Sequence, residues 1–377
     1  MPNFRAWPLI CLSPLSRTIS LCAESKSWNW PPLAGPLVGT FLAELGAEVI
    51  KVEHPSNGDV TRAWRSQGED QNGPSAYYAA ANGPKRVIRQ DLTLPEGQQW
   101  LQSELENTDI LLQNFKTSSL GKLRLDPDDL AKQHPRLIHV HLKGFMDDVN
   151  RGGYDIVVQA ETGFLAMNGT AESAPFRMPV ALMDVLAAHQ MRSAVLLALY
   201  QREKDGLGAY TEAWLDASGF SALANRATEH LVAGQSPAPL GPLHPQIAPY
   251  GEAFACGCGE TLVTAVGNDA QFARLCQLLE LTGVHQDPQF ASNPQRVKNR
   301  VALFAALEPA FAKKSAADIM EKALLSGVPL GQLKSVEEAL TSPTGRAMTS
   351  HFQLDGHPVK HVRQVAFQVH RTGSRTT

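Results

Sequence analysis

Long hydrophobic runs are scarce in this sequence. The longest, such as SAVLLALY at residues 193–200, fall far short of the roughly 20 apolar residues that a bilayer-spanning helix needs, so no membrane role is expected. Neither sign of charge is in surplus: 34 Lys and Arg against 37 Asp and Glu leave a net charge of −3. A nucleic-acid partner would normally require a basic excess. Cysteine is sparse too. Five residues (Cys11, Cys22, Cys256, Cys258 and Cys276) in 377 argue against a disulfide framework and for a reducing, cytoplasmic setting. Cys256-Gly257-Cys258 has the spacing of half a metal site, yet no second Cys or His pair accompanies it. Two reduced thiols in a polar β-turn are the better account, and no metal is expected. His139 and His141 alternate on a predicted strand and share a face, which fits a core or edge-strand role better than ligation. No GxGxxG follows any predicted strand, which removes the ground for a nicotinamide or flavin role.

What is present reads as a globular α/β protein. Hydrophobic residues make up 43% and charged residues 19%, and the length suits two domains. Leu37, Phe41, Leu42 and Leu45 recur at helical spacing, Gly46 stops that helix, and Val49–Val52 follows as a buried strand. Residues 95–105 and 125–133 read as helices, 109–115 and 136–145 as strands. Helices alternating with short aliphatic strands imply an open parallel sheet covered on both faces. A long apolar helix runs from Met183 to Glu203, and the proline-dense stretch 235–249 reads as a linker. Beyond it, a strand at 261–267 and helices at 268–281 and 315–327 make a smaller α/β unit of about residues 240–335.

Asp184 precedes the long helix and follows Pro179-Val180-Ala181-Leu182, so its position alone reads as a helix N-cap. A carboxylate there is held ionised by the helix dipole, which also suits a nucleophile needed as an anion.

LAGPLVGTFLAELGAEVIKVE (33–53) with GDVTRAW (58–64) resembles the opening signature of the family III CoA-transferases, whose fold is shared with α-methylacyl-CoA racemase. The resemblance continues through QNFK (113–116), PRLIHVHLKGF (135–145), GYDIVVQAETGFLAMNGT (153–170), PVALMD (179–184), HPQIAPYGEAF (244–254), NPQRVKNR (293–300) and GVPLGQLKSVEEAL (327–340). It implies a Rossmann-like large lobe over 33–225, a small lobe inserted over 240–335, a return to the large lobe over 340–377, and an interlocked homodimer. It also implies that Asp184 is the nucleophile, passing CoA from an acyl-CoA thioester to a carboxylic acid through an aspartyl anhydride and an aspartyl-CoA thioester. No cofactor is permanently bound on this reading; CoA thioesters are substrates. The implied CoA and substrate contacts are Lys51, Lys85, Asn114, Phe115, Lys116, Lys143, Tyr154 and Asp155, with Asp155 as reserve nucleophile. Tyr154 stands where the racemases usually carry a basic His, and a phenol is a poor base at neutral pH. Three departures stand out: Lys116 replaces an Arg, NGPKRV (82–87) is altered, and Ala188 replaces a Gly. An acyl-CoA racemase and an inactive CoA-binding chain remain as alternatives.

The start does not fit. The family pattern expects a buried strand leading into residue 33, whereas CAESKSWNWPP (22–32) makes a poor central strand. Arg5, Arg17 and several serines ahead of the first acid, Glu24, allow a transit peptide. The preferred reading is a shifted frame before about residue 33: codons for Trp28-Asn29-Trp30-Pro31 read one base earlier can encode Val-Glu-Leu-Ala. A central strand is then expected to be missing.

Overall fold

The structure, a computed structural model, describes residues 33–148, 150–173 and 175–370, together with the backbone of 18–21. The chain forms two compact units: residues 1–165, 177–237 and 344–377 in the first, and 166–176 with 238–343 in the second. Compared with the expected lobes, the first unit runs on to 237 and the second also takes 166–176.

The first unit is built on six strands: β1 (Thr18–Leu21), β2 (Val49–Glu53), β3 (Arg86–Arg89), β4 (Ile110–Gln113), β5 (Ile138–Lys143) and β6 (Ala209–Trp214). All pair in parallel, in the order β3-β2-β1-β4-β5-β6. The direction of winding reverses between β1 and β4, where open α/β sheets hold ligands beyond the carboxyl ends of the strands. The helices between and after them along the chain are α1 (Ala34–Glu44), α2 (Ala76–Ala81), α3 (Pro95–Leu105), α4 (Thr117–Leu120), α5 (Pro127–Gln133), α6 (Asp155–Glu161), α7 (Phe164–Met167), α8 (Leu182–Asp205), α9 (Leu215–Ala222) and α10 (Ala224–Ala233).

The central strand is not missing. Thr18–Leu21 fills its place, pairing with Val49–Lys51 on one side and Ile110–Gln113 on the other. This segment lies upstream of the stretch 22–32 that reads as a poor strand. Residues 1–17 and 22–32, and with them the transit-peptide and shifted-frame readings, lie outside the described residues.

The sheet has two faces because side chains alternate along each strand. Ile110, Leu112, Ile138, Val140 and Leu142 pack with α1 and α8. Ile50, Val52 and Leu111 pack with Leu101, Leu105, Leu120 and Leu130 from α3 to α5. Proline in the first turn of α3 and α5 pre-sets their backbone, and the Asp126 side chain caps α5 by accepting from Asp128 and Asp129 N–H. Gly206, at φ 79°, ends α8 in the left-handed conformation. By length and composition α8 meets the requirement for a bilayer span, unlike any single apolar run in the sequence. Its buried residues include Met183, Asp184, Met191, Arg192, Val195 and Arg202, so one face of it packs in the protein core.

The second unit holds an antiparallel sheet of β7 (Tyr250–Ala255), β8 (Thr261–Ala265) and β9 (Leu330–Gln332). Its helices are α11 (Asp269–Leu278), α12 (Asn293–Lys298), α13 (Arg300–Ala312), α14 (Ala316–Ser326) and α15 (Val336–Thr341). Phe254 stacks on Phe304 and Phe311, with centroids 4.8 and 4.4 Å apart. The arginines of NPQRVKNR are structural. Arg296, fully buried, donates to the carbonyls of Ala248 and Phe290, and Arg300 to those of His244 and Ile247. Cys256 and Cys258 are free thiols in the β7–β8 turn. The chain then returns to the first unit with α16 (Pro343–Ala347) and the hairpin β10 (Thr349–Leu354) and β11 (His357–Val362).

Candidate active site

Asp184 is not the N-cap of α8. That place belongs to Ala181, which offers no capping side chain, and Asp184 lies three residues on, inside the first turn. It is 2% exposed. One contact with its carboxyl is the N–H of Ala34, at the first turn of α1. Oxygen Oδ1 has no hydrogen-bond partner among the described residues. Burial, and next the charge of Asp155, push its pKa up to about 8, with the Ala34 N–H working the other way. The helix dipole therefore loses to desolvation: at neutral pH this carboxyl is mostly protonated, contrary to the ionised state expected from its place in the sequence.

Asp155 opens α6 and serves α8. Its Oδ1 accepts the N–H of Met183 at 2.7 Å, and its carboxylate also accepts the N–H of Asp184. Its Oδ2 accepts from Gln159 Nε2 at 2.5 Å. Burial raises the Asp155 pKa, while these donors and Arg177 lower it. Two glycines bring it here. A Cβ on Gly144, just past β5, would lie 2.4 Å from Gly153 N, so only a glycine pair lets the chain double back to start α6 at this point.

Two further side chains, Tyr77 and Arg177, act electrostatically on this pair, and Trp64 packs on the first of them. Tyr77, held on α2 behind the Ser75 cap, has its pKa pushed up to about 12 by burial and by the charges of Asp184, Asp155 and Asp59. It therefore stays a neutral phenol with a proton to donate. Trp64 meets the Tyr77 ring edge-on at 4.9 Å. Arg177 is exposed on the approach to α8 and acts electrostatically on both Tyr77 and Asp155. A buried acid with one unpaired oxygen, beside a neutral donor and an exposed cation, suits covalent work on an anionic substrate.

The model of CoA-transferase family III matches residues 31–377. The chain belongs to that family. Succinate–glutarate CoA-transferase of Agrobacterium fabrum is 34% identical over 331 residues, 86% of this chain and 82% of that protein. Acetyl-CoA:oxalate CoA-transferase of Acetobacter aceti is 32% identical over 87% of this chain and 85% of its own. A CaiB/BaiF family protein from Brucella suis has a crystal structure that superposes with a TM-score of 0.77 at 32% identity, covering 94% of this chain and 92% of that one. This protein is thus a CoA-transferase, and its substrates are acyl-CoA thioesters and carboxylic acids.

The cations named for CoA in the family III reading of the sequence differ in their surroundings. Lys51 is fully buried, forms an ion pair with Asp59 and donates to Asn82 Oδ1 at 2.9 Å. Burial works to raise the Asp59 pKa, but Lys51 beside it holds it low. Asp59 and Asn82 thus engage the Lys51 ammonium in the single chain. Lys85 turns inward as well, donating to the carbonyls of Pro36 and Ala81. Lys143 is buried against Glu212. Phe115 is also buried, its carbonyl meeting His141 Nε2 at 2.7 Å. Asn114 and Lys116 are half-buried just beyond the carboxyl end of β4, beside the point where the winding reverses, and keep their candidacy. Tyr154 is 37% exposed next to Asp155. His139 and His141 are buried and held neutral, with pKa values pushed down to about 3 and about 4, chiefly by burial.

The sequence reading missed Tyr77, Trp64, Arg177 and the Ala34 N–H. Trp64 and Ala34 lie inside segments quoted for the resemblance, but nothing in their spacing marks Ala34 as a neighbour of Asp184 or Trp64 as one of Tyr77.

Proposed function

We infer that this enzyme passes CoA between carboxylic acids by a covalent relay at Asp184. The supporting observation is the Asp184 carboxyl itself: buried, in a first helical turn, with one oxygen unpartnered among the described residues. In the ionised form, an Asp184 oxygen attacks the thioester carbonyl carbon of the donor. The C–S bond breaks, leaving a mixed anhydride and CoA thiolate. The thiolate then attacks the Asp184 carbonyl, releasing the donor acid and forming an aspartyl-CoA thioester. The acceptor carboxylate reverses both steps, so atoms and charge balance without a net proton. A carboxyl with a pKa near 8 is mostly protonated at pH 7, but its ionised fraction is the more basic nucleophile.

The acids on this reading are dicarboxylic. The relatives are named for succinate, glutarate and oxalate, and the exposed guanidinium of Arg177 beside Tyr77 and Asp155 suits a second carboxylate. The working form is an interlocked homodimer in the cytoplasm. Leu196, Leu197 and Tyr200 of α8 are 43, 58 and 59% exposed in the single chain, an apolar stretch that a second copy would cover.

The test is to mix the protein with succinyl-CoA, trap with hydroxylamine or borohydride, and map the modified peptide by mass spectrometry. An adduct at Asp184 that is absent from Asp184→Ala is the expected result. A folded protein that binds CoA but forms no adduct overturns the relay.

A further inference from the structure

Helix α8 starts with an exposed problem: its first N–H groups have no intrahelical partner, and its own N-cap, Ala181, provides none. The solution comes from another helix. Asp155 of α6 accepts the N–H groups of Met183 and Asp184. One turn further along α6, the fully buried Gln159 donates through Nε2 to Asp155 Oδ2, and its Oε1 accepts the N–H of Met178 at 2.9 Å. The Asp155–Gln159 pair therefore clasps the chain on both sides of the turn into α8. Behind it, a Cβ on Gly219 of α9 would lie 3.0 Å from both Met183 Sδ and Thr162 Cγ2, so the first turn of α8 has little room to shift.

We propose that Asp155 is a positioning residue for the nucleophile, fixing from α6 the direction in which the Asp184 side chain leaves α8 and setting its own negative charge against it. This rests on Asp184 being the nucleophile. Both Asp155 oxygens are engaged by donors, which suits a positioning role better than that of a second nucleophile. Among the described residues, the groups acting on Asp184 are Asp155 from α6 and the Ala34 N–H from α1, with the neutral Tyr77 of α2 coupled to it electrostatically and Arg177 and Asp59 acting on Tyr77 from the neighbouring segments. Asp155 is the carboxylate nearest in influence, and its charge makes Asp184 harder to ionise and more basic once ionised.

Asp155→Asn keeps an oxygen for the α8 N–H groups and removes the charge. Asp155→Ala removes both. In kcat/KM profiles with succinyl-CoA and glutarate, Asp155→Asn moves the acid limb down by about one pH unit or more. Asp155→Ala lowers kcat by roughly tenfold or more with KM little changed, and Asn restores most of that loss. An acid limb unmoved in Asp155→Asn, or a wild-type-like kcat in Asp155→Ala, overturns the proposal. Trapping keeps the two readings apart. An Asp184 adduct in the wild type with an unmoved limb in Asp155→Asn sinks only the role of Asp155, whereas no adduct in the wild type sinks the relay first. Should Asp155→Ala fail to fold, the limb of Asp155→Asn decides alone.

Discussion

The N–H of Ala34, at the start of α1, donates to the carboxyl of Asp184, at the start of α8. Two helix N-termini thus meet at one acid, yet burial still leaves that acid with a pKa near 8. Desolvation outweighs the partial positive charge of the helix ends.

The first consequence is kinetic. On the proposed relay only ionised Asp184 attacks a thioester, so kcat/KM, which reports on the free enzyme, should rise with pH through a limb near 8. Initial rates from pH 5.5 to 9.5 check this, and a limb near 4 would contradict it. Asp184→Asn lowers turnover by about a thousandfold or more while CoA still binds.

The same shift affects stability. An acid whose pKa is raised by folding contributes stability that is full below its unfolded value, near 4, and is lost as pH rises towards 8. Asp184→Asn does not titrate. Wild type and variant should therefore melt closest together in acid, and the variant should gain steadily on the wild type between pH 4 and 8. Thermal scans at fixed ionic strength show the gap directly.

Lys51 should behave as a structural ion. Lys51→Met leaves the buried Asp59 carboxylate unpaired and costs about 3–5 kcal/mol in denaturant unfolding. Lys51→Met combined with Asp59→Asn recovers much of that loss. A phosphate-binding lysine would instead show a raised KM for acyl-CoA with stability unchanged.

Gly144→Ala forces a methyl against Gly153 N and Arg151 O, at 2.4 and 2.6 Å. The expected cost is about 1–3 kcal/mol. Turnover should fall further than stability does, because the displaced turn carries Asp155. Unfolding midpoints and kcat measured on the same preparation separate the two.

Tyr77→Phe removes a proton donor beside two carboxyls and little else. A drop in kcat of roughly 10–100-fold with a small change in unfolding free energy is expected.

Much of the fold was legible in the sequence. The helix at 95–105 and the strands around Val49, Ile110 and Ile138 lie where apolar spacing put them, because burial on one or two faces dictates that spacing. β1 was not legible: four residues, Thr-Ile-Ser-Leu, carry too little pattern to mark a central strand, and only pairing on both sides reveals it. Asp184 stood out because a motif surrounds it. Asp155 was noticed, but its bonds to the N–H groups of Met183 and Asp184 were not legible, since those partners lie on another helix and local spacing cannot show a cap supplied from a distance. Lys51 did leave a sign: a lysine inside Val-Ile-Lys-Val-Glu, a strand buried at every position, requires a partner for its charge, which Asp59 provides.

The seclusion of Asp184 also bears on which acceptor wins. An acyl group carried on a side chain with 2% exposure is sheltered from the commonest competing nucleophile, water. On the proposed route, the fold's contribution is then partition as much as rate. Each activated acyl group lasts long enough to meet an incoming carboxylate, and the energy of the thioester is handed on instead of being lost to hydrolysis.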